Sequence, residues 1–439
     1  MDIKQGSHVD LMIEGGTIIT MDENRRILEE GNLLIKGGRI QAVLADDQVP
    51  EDLTAEKVIS ARGKVLLPGL INAHSHLAMT LFRGFVEDLI LDKWLNKVWE
   101  YELSVVDEKA VRAGSRLAFV EMIKGGITCA HDMYWHFKET MGLAEEIGVR
   151  LISGPPITGL GDQDFDEMFQ VARETLTWME DLDFVYPVLQ AHSTYTTTPR
   201  MMRTVRAFKE EYGISFTTHA SENQDEVDNV REQYQKSPIE LLSSYDLLDE
   251  RTVLAHCVKV DEGEIDLLAA TGTHVAHCPE SNLKLGSGIA PVVDMLEKGI
   301  NVCLGTDGAA SNNDLNVLGE MRTAALLQKG VNHAPEVLTT DQALEMATIN
   351  GAKAYHLDHM IGSLEAGKKA DVVLVDFQQP HLTPSFDPVT NLIYSAAKSD
   401  VDTVIIDGKV HLEGGELTRL DEERVMAEVR DLEGLFDGR

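Results

Sequence analysis

The sequence predicts an α/β fold: a (β/α)8 barrel of the TIM type that carries a small β-sandwich domain built from both ends of the chain. Three observations predict it. Between about residue 70 and residue 350, short apolar runs alternate with helical stretches, the texture of a parallel sheet with crossover helices. Hairpin-like strands with Gly-Gly turns fill the first 68 residues and return after residue 357, so the two ends read as one domain interrupted by the barrel. A chain of 439 residues with 43% hydrophobic composition is long enough for one large barrel plus an appendage.

The elements follow in order. "VDLMIEGGTIITMD", "GNLLIKGGRIQAVL" and "KVISARGKVLLPG" alternate apolar and polar residues around glycine turns, which predicts β-hairpins over 1–68. The barrel is expected over 69–356. Its eight strands are read in the run at 65–74 and in "GITCAHDM", "VRLISGPP", "DFVYPVLQAHS", "ISFTTHASE", "TVLAHC", "THVAHCPES" and "INVCLGTDG". The helices between them are amphipathic and acidic, as in Pro199 to Tyr212. From 357 to 439, "IGSLEAGKKADVVLVDF" and "VDTVIIDGKVHLEGGEL" restore the hairpin texture, and "DEERVMAEVRDLEGLF" closes the chain as a charged helix. No internal repeat of fixed period and no low-complexity segment is present.

Composition narrows the function. The 73 acidic residues against 39 basic ones give a formal net charge of −34, which repels phosphate backbones and anionic membranes. No nucleic-acid or membrane partner is expected. The acidity is spread along the chain, a strongly solvated surface of the kind a saline habitat favours. Cys129, Cys257, Cys278 and Cys303 are widely spaced and each lies in or beside an apolar stretch, so they read as reduced core thiols of a cytoplasmic protein. The first residues lack a basic-then-apolar leader, and nowhere do eighteen apolar residues run together.

The stretch "LPGLINAHSHLAMTLFRG" ends an apolar run with His74 and His76. In a barrel of this type the reactive groups stand at the C-terminal ends of the strands, and the polar residues there form a short set. They are His74 and His76 on the first strand, His192 on the fourth, His219 on the fifth, His256 on the sixth, His277 on the seventh and Asp307 on the eighth. Two histidines at i and i+2 on an extended segment point to one face. With His219 and Asp307 they make three imidazoles and one carboxylate, a donor set suited to zinc or ferrous iron. An isolated histidine at any of these places is an ordinary hydrogen-bonded core residue; the joint pattern is what reads as a metal site. Glu222, three residues past His219, is placed to move a proton from a water on the same ion, or else is an acid favoured at a helix N-terminus. His256 and Asp307 would flank that water. His131, His136 and His274 have no partner spacing and read as structural, and His277 reads as ordering the seventh loop.

At these residues a resemblance appears. "PGLINAHSHL", "HASE", "LAHC", "AHCPESNLKLGSGIAPV" and "GTDGAASNN" resemble the amidohydrolase superfamily, and within it the bacterial and archaeal deaminases of methylthioadenosine and S-adenosylhomocysteine. The similarity extends through "MATINGAKA" and "IGSLEAGKKADVVLVD", nearly the whole chain. The resemblance implies one divalent metal per subunit, zinc first, with iron or manganese accepting the same donors, held by His74, His76, His219 and Asp307. It implies that Glu222 transfers protons and that His256 orients the water. It further implies that Glu87, in "LFRGFVEDLILDKWL", holds the ribose hydroxyls with Trp94 nearby, and that His192 in "QAHSTYT" touches the nucleoside. No lysine stands at the fourth strand end to bridge a second metal.

The chain departs from the pattern around the third strand. Homocysteine-accepting members carry arginines there, whose bidentate contact to a carboxylate other residues do not replace. Here "MGLAEEIGVRLISGPPITGL" offers Arg150 alone, with Glu145 and the Gly154-Pro155-Pro156 turn where positive charge is wanted. Methylthioadenosine, adenosine or a related 5′-modified adenosine is therefore the expected small-molecule substrate, ahead of S-adenosylhomocysteine, and the inosine analogue and ammonia are the expected products. Two alternatives stand beside this one. A triazine- or pterin-type hydrolase of the same superfamily would share the histidines but have no use for Glu87. A non-catalytic relative that keeps the barrel for assembly would have lost ligands. Relatives also imply a homo-oligomer.

Overall fold

The computed structural model describes residues 7–159 and 164–436; the outer limits 1 and 439 of the expected end domain, and Leu160 in "SGPPITGL", lie outside the described residues. Eight parallel strands form the barrel in chain order: Leu70–Asn72, Ile127–Asp132, Arg150–Ser153, Val185–Ser193, Ser215–Ala220, Thr252–His256, His274–His277 and Val302–Leu304. The ring closes where the Ala73 N–H donates to the Leu304 carbonyl at 2.8 Å, and where the short strand Asp307–Gly308 pairs with Ser75–His76. Closure removes the sheet edges and brings the end of the eighth strand against the end of the first.

Helices cross back outside. Pro199–Tyr212 shows why such a segment is helical: Thr198 caps it through the Met201 N–H, proline takes the first turn, and Met201, Met202, Val205 and Phe208 turn one apolar face to the barrel. Leu91–Val105 has no side-chain cap but likewise buries one stripe, Leu91, Trp94, Leu95, Val98 and Glu102, and it lies in the long connection between the first two strands, before the crossover helix Glu108–Lys124. That places it over the barrel mouth.

The chain ends make one continuous nine-stranded sheet, in which the expected sandwich halves are hydrogen-bonded to each other. From one edge it runs Glu416–Leu417, Lys409–Glu413, Val401–Ile406, Val372–Asp376, Lys64–Pro68, His8–Ile19, Ile27–Lys36 and Arg39–Ala45, with Thr54–Ser60 parallel to the start of His8–Ile19. Lys64–Pro68 is the seam between N- and C-terminal halves, antiparallel to Val372–Asp376. Alternation divides its two faces. Val65, Leu67, Val373 and Val375 join the barrel's hydrophobic cluster, while Leu66, Val372 and Leu374 join Leu11, Ile13, Leu33 and Ile35 in the appendage's own core. Buried Arg150, at the start of the third strand, forks onto Asp371 at 2.7 and 2.9 Å and ties the barrel's N-terminal rim to this sheet.

One strand differs from the sequence reading. The apolar run at 65–74 is two strands, Lys64–Pro68 in the end sheet and Leu70–Asn72 in the barrel. Pro68-Gly69 lies at the joint, and a Cβ at Gly69 would collide with the Thr128 side chain. Both strands are buried on both faces, so nothing in the apolar pattern marks where one ends.

Candidate active site and metal centre

The first barrel strand continues into His74-Ser75-His76, and the eighth into Asp307. The Asp307 N–H donates to the His74 carbonyl at 3.0 Å. Gly305 permits this approach, because a Cβ there would sit 2.8 Å from His74 backbone atoms. Ser221, His256, Cys257 and Asp307, at the ends of the fifth, sixth and eighth strands, all have positive φ, between 47° and 76°. Such backbone costs on the order of 1–3 kcal/mol per residue and persists only where its surroundings enforce it.

His74, His76, His219 and Asp307 are buried together, and one donor atom from each lies within 4.8 Å of the others. His219 Nε2 is 3.1 Å from His74 Nε2 and 3.3 Å from His76 Nε2; Asp307 Oδ1 is 3.1 Å from His76 Nε2 and 3.5 Å from His74 Nε2. Outer partners fix the donors. The Nδ1 of His76 faces the Met133 carbonyl at 2.6 Å and that of His219 faces the His192 carbonyl at 2.5 Å, so each Nδ1 carries the proton and each Nε2 presents its lone pair inward. Ser281 and Ser311 donate to Asp307 Oδ2 at 2.6 and 2.9 Å, leaving Oδ1 for the centre. Converging lone pairs repel unless a cation lies among them, so the residues fit one divalent ion of the borderline class that accepts imidazole and carboxylate.

Without an ion, the electrostatics separate the donors. Burial, with repulsion from His76 and His256, holds His74 down at about 4 despite its hydrogen bond to Asp307. Burial and the neighbouring imidazoles push His219 well below its usual range. On His76 burial works the same way, but the hydrogen bond and charge of Asp307 win and lift it to about 8. Burial alone would raise Asp307, yet its bonds to His74 and His76 hold it well down.

The cluster faces a cavity under Leu91–Val105. Glu222 and His256 stand beside it, with His256 Nε2 3.8 Å from Glu222 Oε2 and His256 Nδ1 2.9 Å from Asn282 Oδ1. Burial, then the negative charges of Asp307, Glu226 and Asp92, raise Glu222 well above the ordinary carboxyl range; burial lowers His256. His192 and Trp94 line the same cavity. The His192 ring lies 5.7 Å from that of Trp99, and its Nδ1 is 3.0 Å from Thr196 Oγ1.

Glu87, expected at the ribose, stands apart from the cluster. It is not in the cavity lining; its carboxylate is half exposed, paired with Lys284 at 2.9 Å and approached by Asn313 at 3.4 Å. Besides Glu222 and Asp307, the cavity lining holds the carboxylate of Glu102, 5% exposed, with the Trp135 indole N–H 3.4 Å from Oε2, the Tyr134 hydroxyl beside it, and Oε1 in no closed hydrogen bond. Its signal was in the sequence: Leu91, Trp94, Leu95, Val98 and Glu102 fall on one buried helical stripe, and an acid on an apolar face marks an inward carboxylate. Arg150 is committed to Asp371 at the opposite rim, and Glu145 accepts the Asp183 and Phe184 N–H groups. The described lining contains no lysine or arginine.

Outside the cluster, His131 is held by Gln190 at 3.0 Å and stacked on Tyr355. His274 meets the Glu250 carbonyl, and His277 is fully buried, its carbonyl taking the Gly305 N–H.

Comparison with known proteins places this geometry. Over 95% of this chain and 98% of the relative, it is 41% identical to the 5-methylthioadenosine/S-adenosylhomocysteine deaminase of Moorella thermoacetica. Its fold is similar to that of an adenosine deaminase from Xanthomonas campestris with bound zinc, with a TM-score of 0.96 and 33% identity over 98% of this chain and 99% of that one. It is also similar to a zinc-complexed atrazine chlorohydrolase from Arthrobacter aurescens TC1, with a TM-score of 0.89 and 27% identity over 96% and 100% of the two chains. Residues 65–411 match the Amidohydrolase family, and the chain belongs to that family.

Proposed function

We propose that this chain is a metal-dependent hydrolase that deaminates an adenosine-type nucleoside at C6, giving the inosine analogue and ammonia. The observation that carries the reading is the meeting of the His74, His76, His219 and Asp307 donors with Glu222 and His256 in a cavity that also holds a buried carboxylate, Glu102. Similarity to a methylthioadenosine/S-adenosylhomocysteine deaminase and to a zinc-bound adenosine deaminase supports it.

His74, His76, His219 and Asp307 hold the ion, with zinc as the expected metal. When bound, it supplies the Lewis acidity that makes water nucleophilic at neutral pH. Glu222 accepts the water's proton and passes it to the purine ring and then to the departing amine, a task suited to a carboxyl whose proton affinity is raised by burial and neighbouring acids. His256, neutral and tethered by Asn282, turns Nε2 toward the cavity to orient the water and, with Asp307, to stabilise developing charge. Trp94 and His192 border the nucleoside, and Glu102, in place of Glu87, accepts the ribose hydroxyls.

A homocysteine carboxylate would require a cation beside it. The described lining offers no lysine or arginine. Substrates with a small uncharged 5′ group, methylthioadenosine foremost, therefore rank above S-adenosylhomocysteine. The accompanying reading is a cytoplasmic homo-oligomer. All four cysteines are free and buried, which suits a reducing compartment, and no described helix is long and apolar enough to cross a membrane. Light scattering checks the oligomer.

The direct test is incubation of zinc-loaded protein with methylthioadenosine, 5′-deoxyadenosine, adenosine and S-adenosylhomocysteine, following the loss of adenine absorbance. Turnover is expected, with methylthioadenosine ahead of S-adenosylhomocysteine in kcat/KM. Failure to turn over any adenosine derivative rejects the assignment.

A further inference from the structure

The turn that carries Glu222 is held by a second buried acid that the chemistry above does not use. Glu226 is 4% exposed, one turn further along in the helix Gln224–Tyr234. The sequence Asn223-Gln-Asp-Glu226 has the spacing of a capping box, in which the third helical residue's carboxylate reaches back to the N-cap N–H. Half of the box is present: the Asn223 side chain accepts the Glu226 N–H at 2.7 Å. The other half is displaced. Glu226 Oε2 bypasses Asn223 and accepts the backbone N–H of Glu222 at 2.7 Å, and Oε1 accepts the Thr194 hydroxyl at 3.2 Å.

Those partners define what the carboxylate does. Ser221 has φ of +53°, a conformation that a serine keeps only when its neighbours enforce it, and it sets the direction in which Glu222 leaves the strand. Thr194 belongs to the loop after the fourth strand, two residues from His192, whose carbonyl fixes the His219 ring. One carboxylate thus links the proton-transfer turn to the loop that aims a metal-site imidazole and borders the nucleoside. Burial pushes Glu226 up to about 7, while the N–H groups of Glu222 and Ser221 pull against that.

We infer that Glu226 is a positioning residue: through the Glu222 N–H and the Thr194 hydroxyl it fixes where the Glu222 carboxylate stands over the metal site. The inference rests on the deaminase reading for its kinetic consequence but not for its structural one. Because a displacement of about 1 Å at a reacting group costs on the order of 100-fold in rate, loss of this brace should appear in kcat.

The experiment uses zinc-loaded protein at pH 8 and the variants Glu226→Ala and Glu226→Gln, with Thr194→Val as a milder cut of the same link. Expected for Glu226→Ala is a roughly 100-fold fall in kcat on methylthioadenosine with KM within about threefold and metal content unchanged. Glu226→Gln, whose amide oxygen still accepts the Glu222 N–H, should recover to within about tenfold of the parent. In a Glu222→Gln background, Glu226→Ala should cost nothing further, as expected of residues acting through one another. Hydrogen exchange over residues 219–223 is the readout independent of turnover: faster in Glu226→Ala, restored in Glu226→Gln, and unchanged in the barrel strands. Unchanged exchange there, a loss additive with Glu222→Gln, or metal lost in parallel with kcat each overturns the positioning role. If the parent turns over no adenosine derivative while the exchange pattern holds, the deaminase reading fails and the brace stands.

Discussion

Replacing Glu102 by glutamine separates nucleoside chemistry from the other reactions this barrel could run. The carboxylate stands in the cavity beside the Tyr134 hydroxyl, with Oε1 in no closed hydrogen bond and Oε2 3.4 Å from the Trp135 indole, so its acceptor lone pairs have capacity for two hydroxyl donors. A hydrogen bond to a charged group contributes about 1.5–3 kcal/mol. Glutamine keeps one acceptor oxygen but loses the charge, so the expected loss is about 2–3 kcal/mol, roughly 30- to 150-fold in kcat/KM. Burial raises the Glu102 pKa, so the assay belongs at pH 8, above its ordinary titration range. The decisive comparison uses a substrate lacking the 2′ and 3′ hydroxyls. The parent should lose on that substrate about what the variant loses on the full one, and the variant should lose little more. Glu87→Gln, which alters a half-exposed contact with Lys284 and Asn313 outside the cavity lining, should stay within about threefold. A Glu102→Gln enzyme as active as the parent would refute the ribose role, and with it the choice of a nucleoside over a triazine.

His219→Ala and Asp307→Asn each remove one of four donors, so bound zinc measured by mass spectrometry should fall from about one per chain toward zero, with activity falling in parallel. In the metal-free protein His76 has its pKa raised to about 8, so below that pH a proton competes for the donor that the ion needs. Zinc affinity measured against a chelator should therefore rise with pH up to about 8 and level off above it. The sign also runs the other way for the empty protein: the His76–Asp307 pair stabilises it fully below about 6.5, and that contribution disappears as pH rises through about 8, visible as a lower unfolding midpoint with chelator present. A net charge of −34 repels itself over distances that salt screens, with a Debye length of about 8 Å at 0.15 M and about 3 Å at 1 M, so thermal unfolding should shift upward between 0.1 and 1 M KCl.

The barrel was legible because it is a matter of period: apolar runs of strand length alternate with amphipathic helices, and the eight strands close a ring. The meeting of the site's side chains was legible for a related reason. His74 and His76 are close in sequence, and His219, His256 and Asp307 each end an apolar run, so placing the runs side by side places the side chains. Glu102 lacked that anchor. It lies in the long excursion between the first and second strands, where no strand end fixes direction, and what decides between Glu87 and Glu102 is which carboxylate the helix Leu91–Val105 turns inward. Helical spacing contains that information only once the helix limits are known. Glu87 lies four residues before the first helical position and escapes to Lys284, whereas Glu102 follows Leu91, Leu95 and Val98 on the stripe that packs down. The joint at Pro68-Gly69 was hidden for the opposite reason, since two strands buried on both faces leave no polar residue between them to record that the chain passes from one sheet to another. Inward-facing polar residues on otherwise apolar stripes are thus the informative exceptions in such a chain. Arg150 is another, and there the stripe lies at the barrel's N-terminal rim, where a buried charge meets Asp371 and holds the two sheets together, far from any substrate.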